Sequence, residues 1–291
     1  MPEVRLVIVG HLGIGVDHTP KGSARNLSGS GYACARGASV IEPRRTGLVA
    51  RVGRDFDRTA LERLGVDLQG VVTVDGSSAR FEIVQFADNS RSVTTRLAVA
   101  DYTDTWSLPP DYERAAHFHL ATMPLQQQHA WLTELRRLPS RPLISVDMFE
   151  SHAEEDPAAA RRLCHAADLV FMNEEEHRIL FSGFPEPACA MVVKRGGRGA
   201  MYRSDRVRFN AAAPVVDAVD TTGAGEILAG ALLALQLAGF SVRASLRVAT
   251  ELASAKVGEF GVDGARLTAA LHRAVRTVTG VMPHIPARSR S

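Results

Sequence analysis

Short, mostly apolar runs alternate along the first two thirds of the chain with stretches in which apolar residues recur every three or four positions. Such runs are typical of strands buried on both faces of a mostly parallel sheet. They predict strands at 4–9, 46–52, 117–121, 143–146, 169–172 and 190–194. The helical spacing predicts helices at 56–64, 126–137, 157–166 and 174–181. The alternation indicates an α/β fold with a doubly wound, mostly parallel sheet flanked by helices.

One segment, at about 78–98, departs from this alternation. Loosely alternating residues at 79–86 and 91–96 are separated by the turn-forming sequence Ala-Asp-Asn-Ser at 87–90. The pattern predicts an antiparallel β-hairpin inserted into the α/β body. We interpret the hairpin as a lid over a site or as a homodimer contact. The alternative is a plain surface ribbon.

The last third of the chain is helical in pattern. Apolar spacing predicts helices at 224–238, 242–257 and 265–278. Neither an internal repeat nor a linker divides the sequence, so we expect a single domain over residues 1–285. The polar tail at 286–291, rich in Arg and Ser, is expected to be disordered.

Composition narrows the range of partners and compartments. The chain has 291 residues, of which 45% are hydrophobic and 23% charged, as in a globular protein. No apolar run approaches the roughly 20 residues needed to span a bilayer, and the N-terminus has the pattern of a first strand. The net charge of +2 gives no reason to expect nucleic acid. Cys34, Cys164 and Cys189 lack metal or disulfide spacing, so we predict a reduced, cytoplasmic location.

The segment Asp-Thr-Thr-Gly-Ala-Gly-Glu at 220–226 is the strongest candidate for chemistry. A glycine-containing loop runs directly into a long helix, and the unpaired N–H groups at a helix start form an anion site together with the helix dipole. Glu226, in the first helical turn, is placed to accept a proton from an attacking hydroxyl. Asp220 is placed to help hold Mg²⁺. The plainer alternative is an ordinary helix start with Thr as its N-cap.

This segment resembles the Asp-Thr-Thr-Gly-Ala-Gly-Asp signature of the pfkB (ribokinase-like) carbohydrate and nucleoside kinases. Four further stretches match the same family in the same order: Ser-Gly-Ser-Gly-Tyr-Ala at 28–33, Val-Gly-Arg-Asp at 52–55, Asn-Glu-Glu-Glu at 173–176 and Lys-Arg-Gly-Gly-Arg-Gly-Ala at 194–200. Asp17 resembles the acidic residue that binds substrate hydroxyls after the first strand. The ordered set is specific, although no single motif is.

The resemblance implies an ATP-dependent phosphotransferase that moves the γ-phosphate to a hydroxyl of a small sugar, sugar phosphate or nucleoside. It implies that Glu226 is the catalytic base and that the backbone N–H groups of Gly223, Ala224 and Gly225 stabilise the transferred phosphate. The implied ligand contacts are the following: for the acceptor Asp17, Gly29, Ser30 and Gly31; for the nucleotide Asn173, Lys194, Gly196, Gly199 and Thr222; and for Mg²⁺ Glu176 and Asp220.

The catalytic base departs from the family pattern. The family signature ends in Asp, whereas this chain has Glu226. The extra methylene moves the carboxylate by roughly 1.5 Å unless the pocket compensates, and a misplacement near 1 Å costs about 10²-fold in rate. Two hypotheses follow: an active ATP- and Mg²⁺-dependent kinase, or a weak or silent family member that binds a sugar or nucleotide as a regulatory protein.

Two other departures concern the acceptor side. Ser28 stands where the family's first glycine is usual, and Ala33 where an asparagine is common, which favours an acceptor other than a typical ribose or fructose. The stretch between Asp17 and Gly29 is short. We therefore expect part of the usual lid to be missing and the segment 78–96 to be the main cover.

Three residues outside these motifs remain candidates. His117 and His119 lie two apart on a predicted strand and would face the same way, as metal ligands do, but no third ligand has suitable spacing. Asp147 follows a buried strand and either lines the pocket or caps the next turn. The sequence contains neither a P-loop nor a dinucleotide-binding glycine motif after its first strand.

Overall fold

The computed structural model describes residues 3–20, 22–86, 91–102, 105, 108–259 and 266–279, so the predicted turn at 87–90 and tail at 286–291 lie outside it. The strands are β1 (Leu6–Val9), β2 (Gly13–Thr19), β3 (Gly22–Ser28), β4 (Thr46–Gly53), β5 (Asp67–Val74), β6 (Ala79–Gln85), β7 (Arg91–Arg96), β8 (His117–Leu120), β9 (Leu143–Asp147), β10 (Leu169–Asn173), β11 (Ala190–Lys194), β12 (Ala200–Arg203) and β13 (Arg208–Ala211). The helices are α1 (Ser30–Ser39), α2 (Thr59–Glu62), α3 (Leu125–Leu135), α4 (Glu150–Glu155), α5 (Pro157–Ala166), α6 (Glu174–Phe181), α7 (Ala224–Leu237), α8 (Val242–Val257) and α9 (Arg266–Thr279).

Seven parallel strands and an antiparallel edge form the main sheet. Its order is β13-β12-β11-β10-β9-β8-β1-β4-β5. The β11–β12 and β12–β13 pairs are antiparallel, and the other pairs are parallel. This arrangement confirms the predicted doubly wound, mostly parallel sheet. The strands at its centre are the six that the apolar runs predict.

Helices cover both faces of this sheet, which explains why its strands are continuously apolar. In β1, Leu6 and Ile8 belong to the core cluster that includes side chains of α1, α7, α8 and α9. Val7 and Val9 belong to the opposite cluster, with side chains of α3, α5 and α6. Within the residues that the structure describes, no helix is both long and apolar enough to cross a membrane.

A second, four-stranded sheet, which we call the lid sheet, has the order β3-β2-β6-β7. The predicted hairpin is present as β6 and β7, which pair antiparallel. The expectation that the stretch between Asp17 and Gly29 leaves part of the lid missing is wrong, because this stretch is in β2 and β3 and completes the sheet. Glycine has low strand propensity, so Gly13 and Gly15 obscure the alternation of β2 in the sequence.

Helix α1 lies in the core and was not predicted by apolar spacing. Its sequence, Ser-Gly-Tyr-Ala-Cys-Ala-Arg-Gly-Ala-Ser, consists largely of small residues, and all but the first are buried. Small residues allow it to approach α7 very closely. A Cβ on Gly230 would lie 1.9 Å from the Cys34 carbonyl oxygen, and one on Gly37 would lie 2.3 Å from the Ile227 carbonyl oxygen.

We expect Gly230→Ala to destabilise the protein by about 2 kcal/mol or more, because the added methyl group must push α1 away from α7. Helix propensity alone would favour alanine by about 1 kcal/mol. Chemical denaturation measures the free energy of unfolding. Gly197→Ala is the control, because a Cβ there meets no atom within 4 Å. Equal stability of the two variants would contradict the proposed backbone contact.

Candidate active site

The carboxyl ends of three neighbouring strands bring polar side chains to one edge of the main sheet. Asp147 ends β9, Asn173 ends β10 and Lys194 ends β11. Asn173 and Lys194 are directly paired in the strand register. This edge is where α/β folds bind ligands.

Asp147 and Lys194 form an ion pair in which the carboxylate is buried and the lysine is half-buried. Lys194 Nζ lies 2.6 Å from Asp147 Oδ1. Burial raises the pKa of Asp147 to about 6, and the charge of Lys194 acts in the opposite direction. Asp147 Oδ2 is buried without a hydrogen-bond partner in the described part of the chain. Asp147 therefore orients Lys194, a role different from both alternatives that its sequence position leaves open.

Glu176 is held in the first turn of α6 by reciprocal hydrogen bonds with Asn173. Asn173 Oδ1 accepts from the Glu176 N–H at 2.7 Å, and Glu176 Oε2 accepts from the Asn173 N–H at 2.7 Å. Such a capping box satisfies two backbone donors that the helix start leaves unpaired. Burial raises the pKa of Glu176 to about 7, and Lys194 opposes this effect.

The loop at 220–226 is organised around the Asp220 carboxylate. Asp220 Oδ1 accepts from the Thr222 N–H at 2.8 Å, and Oδ2 lies 2.7 Å from Lys256 Nζ. Both carboxylate oxygens thus have protein partners, which fix the orientation of the Asp220 side chain. The predicted metal role of Asp220 stays a prediction.

The start of α7 presents backbone donors. Gly223 has φ 76°, a left-handed conformation that favours glycine, and the helix begins at the next residue. The Ala224 N–H is 3.4 Å from the Thr221 carbonyl oxygen. The N–H groups of Gly223, Gly225 and Glu226 have no acceptor among the described residues. These donors match the predicted anion site.

Two adjoining cavities meet at Glu226. The lid cavity, of about 400 Å³, lies between the inner face of the lid sheet and the body. The edge cavity, of about 610 Å³, lies between the carboxyl edge of the main sheet, the loop and helix α8. Glu226, Thr122 and Phe149 line both cavities. Glu226 therefore lies where a ligand in one cavity would meet a ligand in the other.

The lid cavity is lined by mostly apolar side chains on the lid side and by a mixture of apolar and polar side chains on the body side. The lid contributes Ser28, Phe81, Ile83, Val93, Thr95 and Leu97. The body contributes His11, Gly29, Ser30, Ala33, Thr122, Met123, Pro124, Phe149, Ser151, His152, Thr222, Gly223 and Glu226. Most polar groups therefore lie on the body side, which leaves the lid side for an apolar part of a ligand.

His11 is a polar group at fixed orientation in this cavity. Its Nε2 lies 2.9 Å from Gln127 Oε1, while Gln127 Nε2 donates to the Ala100 carbonyl oxygen at 3.0 Å. The Gln127 oxygen can only accept, so His11 Nε2 carries the hydrogen and Nδ1 remains an acceptor. Burial lowers the pKa of His11, which keeps it neutral at pH 7.

Two of the four predicted acceptor-binding residues line the lid cavity, and the other two do not. Gly29 and Ser30 line the lid cavity, and the Ser30 hydroxyl donates to the Thr122 carbonyl oxygen at 2.6 Å. Gly31 lines neither cavity; a Cβ there would meet the Gly10 backbone at 2.8 Å. Asp17 also lines neither, and its Oδ2 accepts from Asn26 Nδ2 at 2.6 Å.

The predicted nucleotide-binding residues are brought together almost completely. The edge cavity is lined by Asn173, Glu176, Lys194, Gly196, Gly199, Ala224, Gly225 and Glu226. Thr222 lines the lid cavity instead, and Asp220 lines neither cavity. Substrate, nucleotide and metal contacts of all these residues stay predictions.

His117 and His119 are structural in this fold. Both rings bond to the Ser145 hydroxyl, at 2.9 and 2.8 Å, inside the main sheet. Burial lowers their pKa values to about 4 and about 3. The described part of the chain contains no group of three acidic, His or Cys side chains that could hold a metal ion by itself.

Four residues of interest were missed in the sequence. Thr122 and Phe149 follow β8 and β9 closely, so their position after buried strands was an available signal. Phe81 lies on the inner face of the lid hairpin, and Lys256 lies on the buried side of α8, four residues after Leu252. Lysine is rarely buried, so a lysine on the apolar face of a predicted helix is unusual and could have indicated a role for Lys256.

Comparisons with known proteins agree with this geometry. The family model of the pfkB family carbohydrate kinases matches residues 15–269. A cytidine kinase of Thermococcus kodakarensis is 25% identical over 274 residues, which cover 88% of this chain and 97% of that protein. The nucleoside kinase of Burkholderia thailandensis, solved with inosine, superposes with a TM-score of 0.78 at 17% identity over 96% of this chain and 99% of that one. A ribokinase II structure from E. coli, solved with ATP and Mg²⁺, gives a TM-score of 0.79 at 18% identity over 94% and 99% of the two chains.

We expect Glu176→Gln to flatten the pH dependence of stability between about pH 4.5 and 7. The native state holds a proton on Glu176 up to about pH 7, whereas the unfolded chain releases it near 4.5. Between these pH values the native state binds more protons than the unfolded chain. The free energy of unfolding therefore falls as pH rises, with a slope of at most about 1.4 kcal/mol per pH unit. Urea denaturation across this range measures the slope.

Glu175→Gln is the matched control. The Glu175 side chain is 45% exposed. Its hydrogen bond with Arg178 lowers its pKa, so its contribution to the pH dependence of stability lies at more acidic pH. Parallel stability profiles for wild type and Glu176→Gln would contradict the raised pKa of Glu176.

Proposed function

The chain belongs to the pfkB family of carbohydrate kinases, and from this membership we propose that it transfers phosphate from MgATP in the edge cavity to a nucleoside in the lid cavity. Family membership makes it an ATP-dependent phosphotransferase acting on a hydroxyl of a small sugar, sugar phosphate or nucleoside. The observation that carries the finer proposal is the position of Glu226, which lines both cavities.

The edge cavity suits the phosphate chain of the nucleotide. The N–H groups of Gly223, Gly225 and Glu226 are available to phosphate oxygens, and the Lys194 ammonium lies beside Gly225. A Cβ on Gly225 would come within 3.2 Å of Lys194 Nζ, so glycine keeps these cationic and backbone donors together. Backbone donors and a fixed ammonium stabilise charge on a transferred phosphate.

Mg²⁺ fits the charge of this cavity. Asp147, Glu176 and Glu226 are three carboxylates around one ammonium, that of Lys194, and Asp147 Oδ2 is buried without a partner within the described ranges. Mg²⁺ prefers oxygen ligands and usually binds through one or two carboxylates, water and substrate phosphates. We propose that Glu176 holds the ion, directly or through water, and that the ion neutralises phosphate charge.

Glu226 is the proposed general base. Its carboxylate takes the proton from the acceptor hydroxyl as that oxygen bonds to the γ-phosphorus. The bond from the γ-phosphorus to the bridging oxygen breaks, and ADP leaves from the edge cavity. The donors at the start of α7 hold the phosphoryl oxygens during this step. The retention of this arrangement supports an active kinase over a silent binding protein.

A nucleoside acceptor is supported by the lining of the lid cavity. Phe81 from the lid and Phe149 from the body provide flat apolar surfaces, whereas a bare sugar would leave these surfaces unfilled. His11 offers a fixed acceptor nitrogen to a polar edge. The relatives described above include a cytidine kinase and a nucleoside kinase with bound inosine.

We further propose that the protein is a homodimer through the lid and acts in the cytoplasm. The outer lid face carries the half-buried apolar residues Ile14, Val16 and Val84 among charged residues such as Arg80 and Glu82, and a mixed face of this kind supports self-association. The three cysteines are free, which supports a reduced compartment.

We expect Glu226→Gln to lower kcat by about 10²- to 10⁴-fold, because the amide cannot accept the proton. Coupled ADP release with ATP, Mg²⁺ and a panel of nucleosides and sugars measures turnover. Glu134→Gln, the same change at an exposed ion-paired carboxylate, is the control. Glu226→Asp tests geometry: a slower variant indicates a pocket shaped around Glu. Unchanged turnover in Glu226→Gln would exclude this residue as the base.

We expect Phe81→Leu to lower kcat/KM for nucleosides by about tenfold, since stacking on a base contributes about 1–3 kcal/mol. The effect on free ribose should be small, because ribose has no base. Steady-state kinetics with both acceptors gives the comparison. Glu82→Gln changes the outer face of the same strand and is the control. Equal losses for nucleoside and ribose would place the base elsewhere.

A further inference from the structure

Lys256, near the end of α8, is a fully buried lysine that lines neither cavity. It is 1% exposed. Its Nζ donates to the Asp220 carbonyl oxygen at 2.8 Å and lies 2.7 Å from Asp220 Oδ2. Burial of an ammonium group destabilises the folded state unless the group is paired and hydrogen-bonded. The folded protein therefore depends on the contacts between Lys256 and Asp220.

The contact attaches the helix to the start of the anion-binding loop. The next residue, Val257, accepts at its carbonyl oxygen from the N–H groups of Val219 and Asp220, at 2.9 and 3.2 Å. The end of α8 thus holds the loop at two points. Val257 binds the backbone N–H groups of Val219 and Asp220, and Lys256 binds the carbonyl group and the carboxylate of Asp220. Asp220 in turn accepts from the Thr222 N–H, which sets the turn before Gly223.

Several charged groups surround the Lys256 ammonium. Burial lowers the pKa of Lys256, and the carboxylates of Asp220, Asp17 and Glu226 act in the opposite direction. These carboxylates come from the loop, the lid strand β2 and the start of α7. The Lys256 ammonium therefore lies close enough to interact electrostatically with the lid strand β2, the loop and the proposed base.

We propose that Lys256 is a positioning residue for phosphoryl transfer: its ammonium is a tethered cation that fixes Asp220 and so aims the backbone donors of residues 223–226 at the transferred phosphate. This inference rests on the proposed phosphotransferase function. Lys256 touches no substrate. It acts through Asp220 and the turn at Thr222, with the order of contacts given by the hydrogen bonds above.

A positioning role and a structural role differ in their kinetic consequences. If the loop at 220–226 is displaced, its backbone donors stabilise the transition state less well. The affinity for ATP changes less, because the other contacts of ATP in the edge cavity remain. Removal of a group that acts only in the transition state lowers kcat and leaves KM nearly unchanged. Loss of one such donor costs about 10²- to 10³-fold in rate.

The shape of the site also provides a rescue experiment. Lys256→Ala leaves the Asp220 carboxylate and carbonyl oxygens facing a buried space that the side chain filled. An ammonium ion carries the charge and donors of the lost group. Lys256→Met fills most of that space with an uncharged chain and should not be rescued.

The experiment compares wild type, Lys256→Ala, Lys256→Met and Leu252→Ala by steady-state kinetics and thermal unfolding. Leu252 is fully buried one helical turn away, so its variant controls for loss of packing in α8. We expect kcat to fall about 10²-fold in both Lys256 variants with KM for ATP changed less than about threefold. Leu252→Ala should lower the unfolding temperature with kcat retained.

Ammonium chloride should raise kcat of Lys256→Ala several-fold over tetramethylammonium chloride at equal ionic strength, with no effect on wild type or Lys256→Met. If the single variants fail to fold, Asp220→Asn/Lys256→Met removes both charges together and should fold but remain slow. Retained kcat in any folded Lys256 variant, or no difference between the two salts, would overturn the proposal.

Failure of the proposed function is distinguishable from failure of this inference. If wild type turns over no acceptor, calorimetry establishes that wild type and Lys256→Ala both bind MgATP, and their slow background ATP hydrolysis then tests Lys256. A slow background ATP hydrolysis that falls in Lys256→Ala and returns with ammonium would support the inference alone. Unchanged hydrolysis in a folded variant would overturn it.

Discussion

The backbone contact between α1 and α7 is the constraint on which the site depends. The Ile227 carbonyl oxygen of α7 lies where a side chain at Gly37 would be, and the Cys34 carbonyl oxygen of α1 lies where a side chain at Gly230 would be. Ala33 and Glu226 lie one residue before the Cys34 and Ile227 carbonyl groups that make these contacts, and both line the lid cavity. The separation between acceptor wall and proposed base is therefore set by main-chain atoms, which vary less in position than side-chain packing does.

The site contains two lysine–aspartate pairs in different surroundings. Lys194 lies in the edge cavity and is balanced by Asp147, while Lys256 lies outside both cavities and is balanced by Asp220. Lys194 is thus placed to meet a ligand, and Lys256 is placed to hold protein atoms. The two lysines have the same type of partner but different consequences, because Lys194 is half-buried at a strand end and Lys256 is buried at a helix end.

Much of the fold could be predicted because local signals agree with it. Helices α5, α6 and α8 begin after Asp156, Asn173 and Ser241, whose side chains cap them, and their predicted bounds match the observed ones. Helix α1 and strand β2 could not be predicted in this way. Their glycines have weak propensity and are required by close approach of other backbone segments, which only the tertiary structure reveals.

The candidate site shows the same division. Loop and cap motifs that act through their own backbone, such as 220–226 and Asn173 with Glu176, were visible in the sequence. Phe81, Thr122 and Phe149 reach the cavities from separate segments. The position of Thr122 and Phe149 after buried strands is a weak local signal, and no motif marks Phe81. The adjoining cavities have a chemical consequence. Under the proposed function, a single molecule that joins a nucleoside to the phosphate chain of ATP would span both cavities and incur the entropic cost of association once, so bisubstrate inhibitors are the ligands expected to trap this protein.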